Sequence, residues 1–187
     1  MPFGYHGCFL RIDASDGTAR RVPLSDDVLR QYIGGSGLGT RLVIDEGGAL
    51  ADPLSPAAPL VFAFSPLVGT PITTSAKFAV VSRSPLTERI NDSLAGSGFA
   101  LAGKRCGCDA IVIVGRAEQF SVLVIDDGEV RLEAADDLRG QSCPVAEEQV
   151  RARLGADFRI ASVGPAGERG VRYATISHDR RHAGRGG

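Results

Sequence analysis

The residues best equipped for chemistry lie at the C-terminal end, in His178-Asp179-Arg180-Arg181-His182-Ala183-Gly184-Arg185-Gly186-Gly187. Arg180, Arg181 and Arg185 stand among residues small enough to bring backbone close to an anion. Guanidinium forks and exposed N–H groups are the usual equipment for phosphate. The bland alternative is a basic tail. A second candidate cation is Lys77, in Thr73-Thr74-Ser75-Ala76-Lys77-Phe78, beside a strand start. Alone it reads as a surface lysine.

Other motifs fail on their own chemistry. Gly98 to Lys104 fits the first seven positions of a P-loop, but the eighth, which should be Ser or Thr for magnesium, is Arg105. Gly35, Gly37 and Gly39 have the wrong spacing for a dinucleotide fingerprint, and no strand leads into them. They read instead as a helix stop and a tight helix–helix turn. No G-x-S-x-G elbow and no H-E-x-x-H pair occurs. Cys8, Cys106, Cys108 and Cys143 match neither a zinc ribbon nor a redox C-x-x-C, and read as buried or half-buried thiols. Asp126-Asp127 and Asp136-Asp137 read as solvated turns.

The composition bounds the class. The chain has 187 residues, 21 Lys+Arg against 22 Asp+Glu, and a net charge of −1. That balance argues against nucleic acid, which demands a basic excess. No apolar run reaches the roughly 18–20 residues that cross a bilayer, and residues 1–11 lack the form of a signal peptide. No membrane and a cytoplasmic protein are the expectations. The 24 glycines are about twice the usual ~7% and fall in knots, which mark close backbone approach.

The elements that must position these residues are strand-rich. Residues 7–13 and 18–22 form a hairpin through Asp16-Gly17. Ser25 caps a helix over 26–33, stopped by Gly34 and Gly35, and a second helix covers 38–45. Strands are predicted at 59–64, 78–83 and 110–114, the last central because it is apolar throughout. A helix covers 99–105. A second hairpin spans 121–125 and 129–133 through Asp127-Gly128, a polar-faced helix 144–154, and closing strands 159–163 and 171–176. Regular βαβα alternation is absent, so the expected class is α+β with mainly antiparallel sheets.

Taken in order, these segments resemble the N-terminal domain of the aldehyde ferredoxin oxidoreductase family, the tungsten–pterin enzymes. The resemblance runs through essentially the whole chain, residues 1–187. It is carried by Gly4-Tyr5-His6-Gly7, Leu10-Arg11-Ile12-Asp13, Tyr32-Ile33-Gly34-Gly35-Ser36-Gly37-Leu38 and Asp52-Pro53-Leu54-Ser55-Pro56. It continues in Ser65-Pro66-Leu67-Val68-Gly69-Thr70, Ser84-Pro85-Leu86-Thr87, Gly107-Cys108-Asp109-Ala110-Ile111, Gly164-Pro165-Ala166-Gly167-Glu168 and Ala183-Gly184-Arg185-Gly186-Gly187.

The resemblance implies two β-sheets cradling a tungsten (or molybdenum) bis-pterin whose phosphates meet at a bridging magnesium. It implies a complete enzyme that oxidises aldehydes to carboxylic acids and passes electrons through a 4Fe–4S cluster to ferredoxin. By position, Lys77, Gly96, Arg181, His182, Gly184 and Arg185 are the cofactor-binding candidates. Lys77 stands where the family often has Arg, Leu94 where it has a magnesium-side Asn, and Ser36 where it often has Arg. Asn91 and Ser93 are the nearby side chains that would compensate for Leu94. His182 would bind through its backbone. The implied cluster cysteines lie in later domains, so Cys106 and Cys108 are not among them. The implied partners are those domains or a partner subunit, and a homo-oligomer is compatible with the pattern. The end at a glycine knot reads as a piece of a longer chain. The alternative is a truncated or split, non-catalytic module that binds a pterin or phosphate ligand or a partner subunit.

Overall fold

The computed structural model describes residues 4–184. Strand β1 (Cys8–Asp13) turns back into β2 (Thr18–Pro23), followed by α1 (Asp26–Tyr32) and α2 (Gly35–Asp45). Then come β3 (Leu60–Phe64), β4 (Lys77–Arg83), β5 (Ile90–Gly96), α3 (Gly98–Arg105) and β6 (Ala110–Val114). The rest comprises β7 (Ser121–Asp126), β8 (Glu129–Ala134), α4 (Cys143–Leu154), β9 (Ala161–Ser162), α5 (Pro165–Glu168), β10 (Ser177–His178) and β11 (Arg181–His182).

Six strands form the main sheet in the order β2-β1-β6-β3-β4-β5. Only β1 and β6 run parallel; the other neighbours are antiparallel. The α+β class with mainly antiparallel pairing is what the chain adopts. The strands are partitioned differently from the expected two sheets: β9, β10 and β11 make a three-stranded ribbon, and β7–β8 a separate hairpin.

Side chains alternate across a strand, so a sheet covered on both faces needs apolar residues at every position. Strand β6, Ala-Ile-Val-Ile-Val, meets that need and lies mid-sheet. One face packs Phe9, Val61, Ala63, Ala79, Val81 and Val112 against Leu38, Leu42 and Val43 of α2. The other packs Leu10, Ile12, Phe62, Phe64, Phe78 and Ile111 against Ala100 of α3, with Leu123, Ile125 and Val130 of the β7–β8 hairpin alongside. A smaller core of Leu138, Val150 and Ile160 lies under α4.

Three expectations are corrected. Gly35 does not stop a helix but begins α2, with Gly34 as its N-cap. Packing overrides low helix propensity here. A Cβ on Gly39 would lie 2.5 Å from Val81, and one on Gly37 would lie 2.5 Å from the Tyr32 carbonyl oxygen. Strand β5 was not foreseen, because Asn91, Asp92 and Ser93 are poor strand formers; it survives at the sheet edge with only β4 beside it. Residues 171–176 are not a strand, since the pairing begins at Ser177, and the 159–163 strand shrinks to Ala161–Ser162. The β10–β11 turn explains that shift. Asp179 and Arg180 both take positive φ, 46° and 60°, which makes a two-residue hairpin matched to strand twist.

Candidate functional site

Three of the candidate residues, Lys77, Gly96 and Gly184, meet at the edge strand β5. Lys77 begins β4, Gly96 ends β5, and the two are direct cross-strand partners. A Cβ on Gly96 would lie 2.9 Å from both the Cδ and the Nζ of Lys77. Glycine therefore leaves room for the exposed ammonium to lie across the strand end. The C-terminal segment closes onto the same strand. The Gly184 N–H donates to the Leu94 carbonyl at 3.0 Å, and the Ala183 N–H to the Ile176 carbonyl at 2.8 Å. Ala183 is buried in the core below. A Cβ on Gly184 would stand 2.8 Å from the Leu94 oxygen, so this approach requires glycine.

Alternation sorts the rest of β5. Asp92, Leu94 and Gly96 share the α2 face, where Asp92 accepts a 2.5 Å hydrogen bond from Ser36 of α2. Asn91, Ser93 and the buried Ala95 face α3. Leu94, 62% exposed, offers hydrocarbon, and its carbonyl is taken by Gly184. Asn91 and Ser93 stand on the opposite face and do not replace an oxygen donor at Leu94.

Arg181 and His182 are exposed on β11. The His182 ring pairs through Nδ1 with the Thr175 hydroxyl at 3.1 Å, and it lines a separate cleft of about 300 Å³ with Cys143, Gly164 and Thr175. Its ring is thus directed to that cleft. Arg185 lies outside the described residues.

A polar network that the sequence did not reveal holds this loop. Glu147 of α4, fully buried, accepts from the Ser177 hydroxyl at 3.0 Å and from the Arg180 N–H at 2.9 Å. Asp179 accepts from the Phe99 N–H at 3.1 Å, and Ser97 meets His178 Nδ1 at 2.9 Å. Residues 30 to 81 positions apart share these bonds, so no local signal announces them. The network fixes the β10–β11 turn against the start of α3 and carries residues 181–184 to β5.

His178 is 1% exposed. Burial holds its imidazole below the ordinary pKa, against the opposing pull of Asp179 and Glu147. The folded chain therefore favours neutral His178, whereas the unfolded chain takes up a proton near the usual value of about 6.5. Stability from this group is fully present above that pH and falls as the solution is acidified below it. Urea midpoints of the complete protein should decline from pH 7 to pH 5, and His178→Gln should flatten that decline. An identical slope in the variant would assign the pH dependence elsewhere.

The thiols are packing groups. Burial pushes the Cys108 thiol up to about 12 and raises Cys106 as well, so both stay protonated, whereas metal ligation needs thiolate. Among the described residues, no three His, Cys, Asp or Glu side chains are placed to share a metal ion. No helix among them is long and apolar enough to cross a membrane.

Residues 9–187 match the family model described as aldehyde ferredoxin oxidoreductase, N-terminal domain. The chain belongs to the aldehyde ferredoxin oxidoreductase family. It is 35% identical over 187 residues to the tungsten-containing aldehyde ferredoxin oxidoreductase of Pyrococcus horikoshii, covering 99% of this chain and 31% of that protein. It is 29% identical over 197 residues to an aliphatic sulfonate oxidoreductase, WOR-like subunit, of Pyrococcus furiosus, covering 97% of this chain and 31% of that protein. Among solved structures it superimposes on a chain of the active site complex BamBC of benzoyl coenzyme A reductase in complex with 1,5-dienoyl-CoA. The TM-score is 0.93 at 30% identity, covering 100% of this chain and 29% of that one. The chain thus spans about a third of the length of the aldehyde ferredoxin oxidoreductases it matches, and the six-stranded sheet with its edge strand β5 is part of that shared N-terminal unit.

Proposed function

We propose that this domain forms one wall of a tungsten–pterin site in an enzyme that oxidises aldehydes to carboxylic acids with ferredoxin as electron acceptor. The observation that carries the reading is the closure of Gly184 onto Leu94, beside Lys77 and Gly96, in a chain of this family. That corner has the features a large, phosphate-bearing cofactor needs. Two glycines keep the backbone open to close approach, a lysine ammonium without an ion pair among the described residues stands at the strand end, and Arg181 is exposed on the incoming loop.

When bound, the tungsten–pterin group supplies the two-electron chemistry. The chain's own residues bind and orient. Lys77 balances phosphate charge as a point cation, without the bidentate fork of an arginine. Arg181 grips a phosphate from the β11 side, and Arg185 is assigned the same role from its place in the sequence motif. Gly96, Gly184 and the His182 backbone line the approach with main chain. Leu94 presents hydrocarbon where an amide oxygen would help hold a bridging magnesium, so this side chain would contribute no ligand to such an ion. The 4Fe–4S cluster, the aldehyde pocket and the ferredoxin contact are assigned to the remaining two-thirds of a family-length chain or to a partner subunit. The complete enzyme is placed in the cytoplasm.

The test is Lys77→Ala and Lys77→Arg in the complete protein, read as tungsten per chain. Alanine should weaken cofactor affinity about ten- to hundredfold, the roughly 1.5–3 kcal/mol of a charge-assisted hydrogen bond, and so lower tungsten per chain. Arginine should hold or raise it. Equal tungsten in all three proteins would remove Lys77 from the site.

A further inference from the structure

A second cationic site, an open depression in the surface, lies against the β10–β11 hairpin. It has a volume of about 490 Å³ and is lined by Gly98, Arg151, Ala156, Arg159, Asp179 and Arg180. Three guanidinium groups face one carboxylate. That carboxylate is already committed. Asp179 caps the start of α3 through the Phe99 N–H, and its other oxygen lies 3.9 Å from the Arg151 guanidinium. Among the described residues, the side chains of Arg159 and Arg180 make no ion pair. The Arg151 Nε is buried without a hydrogen-bond partner.

Clustered guanidiniums repel one another, and a buried N–H without an acceptor destabilises the fold. A folded chain has reason to keep such a group together where an anion completes it. The backbone supports the same sign of ligand. Gly98 opens an eight-residue helix, and the peptide N–H groups of a first turn carry partial positive charge. Arg159 lies against that turn: a Cβ on Gly98 would be 2.8 Å from its Nε. Glycine here keeps the guanidinium beside the helix start.

We infer that this cavity binds a phosphoryl dianion, with Arg159 and Arg180 as its principal donors and Arg151 completing the cage. Planar forks suit tetrahedral oxyanions that accept several parallel N–H bonds. The site is open to solvent on one side, so a phosphate monoester is admitted as well as inorganic phosphate. None of Lys77, Gly96, Arg181 or Gly184 lines the site, although Asp179 and Arg180 belong to the hairpin that carries residues 181–184 to β5.

The test is calorimetric titration of the complete, tungsten-loaded protein with inorganic phosphate and, separately, with glycerol 2-phosphate. Saturable binding of either supports the site, and the tighter of the two identifies free phosphate or the monoester as the ligand. Arg159→Ala should weaken that binding about tenfold or more, and Arg159→Lys less. Arg180→Gln, whose backbone bond to Glu147 is retained, serves if Arg159 variants do not fold. Tungsten per chain should be unchanged in each variant, whereas Lys77→Ala should lower tungsten and leave phosphate binding intact. Binding of neither probe, or equal binding by the wild type and both the Arg159→Ala and Arg180→Gln proteins, overturns the proposal without touching the tungsten site.

Discussion

Gly184→Val in the complete protein should yield a folded chain with roughly tenfold less tungsten than the wild type. The cause is local and steric. The position of the added Cβ is 2.8 Å from the Leu94 carbonyl oxygen, a separation that real Cβ contacts do not reach. Either the 3.0 Å bond from the Gly184 N–H breaks or β5 shifts, and both separate the 181–184 loop from Lys77 and Gly96. A displacement of about 1 Å is enough to cost a preorganised site most of its affinity. Gly47→Ala is the matched control. Gly47 has φ +77°, so alanine there is strained, but nothing lies within 4 Å of its Cβ position and it makes no bond to Leu94 or Gly184. It should lose some stability and keep its tungsten. A Gly184→Val protein with full tungsten would show that the loop's closure on β5 plays no part in holding the cofactor.

Asp109→Ala should destabilise the domain by about 3–5 kcal/mol, the largest single-site loss in the chain. Asp109 is 1% exposed and accepts from the Gly7 N–H at 2.8 Å, from the His6 N–H at 3.1 Å and from Lys104 Nζ at 2.5 Å. Lys104 is itself 8% exposed, under the ring of Tyr5 at 5.8 Å. Alanine leaves a buried ammonium and two part-buried N–H groups without their acceptor. The pair anchors the N-terminal segment, 103 residues away in sequence, to the start of β6. Lys104→Met combined with Asp109→Asn should recover part of the loss, because no unpaired charge remains. Denaturant unfolding of the three proteins measures both effects. A loss below about 1 kcal/mol for Asp109→Ala would mean that water reaches the pair.

Local rules made much of the fold legible. The Asp16-Gly17 and Asp127-Gly128 hairpins, the Ser25 cap and the apolar β6 run each follow from a few adjacent residues. What escaped was set by distant contacts. Strand β5 has polar, turn-forming residues and exists because β4 offers it an edge. Gly34 and Gly35 look like a helix stop, yet α2 runs through Gly37 and Gly39 because only glycine lets it sit this close to Tyr32 and Val81. Residues 171–176 have strand-like composition, but the positive-φ turn at Asp179-Arg180 sets the pairing register further along.

The site divides in the same way. The arginine-rich loop and its glycines were visible as types and spacing. Their meeting with Lys77 and Gly96 depends on Gly184 finding Leu94, nearly 90 residues earlier, and on Glu147 and Asp179 fixing the hairpin. No periodicity encodes such contacts. Leu94 was readable as a departure at its position. That Asn91 and Ser93 face away from it follows only from the strand's pairing with β4.

The most direct test of the central claim is elemental and pterin analysis of the complete protein as isolated from its native host. Tungsten or molybdenum, together with oxidised-pterin fluorescence in constant proportion to chain, and both diminished in parallel by Lys77→Ala, is the result the account predicts. A protein carrying neither metal nor pterin, or one whose content is indifferent to Lys77, would contradict it.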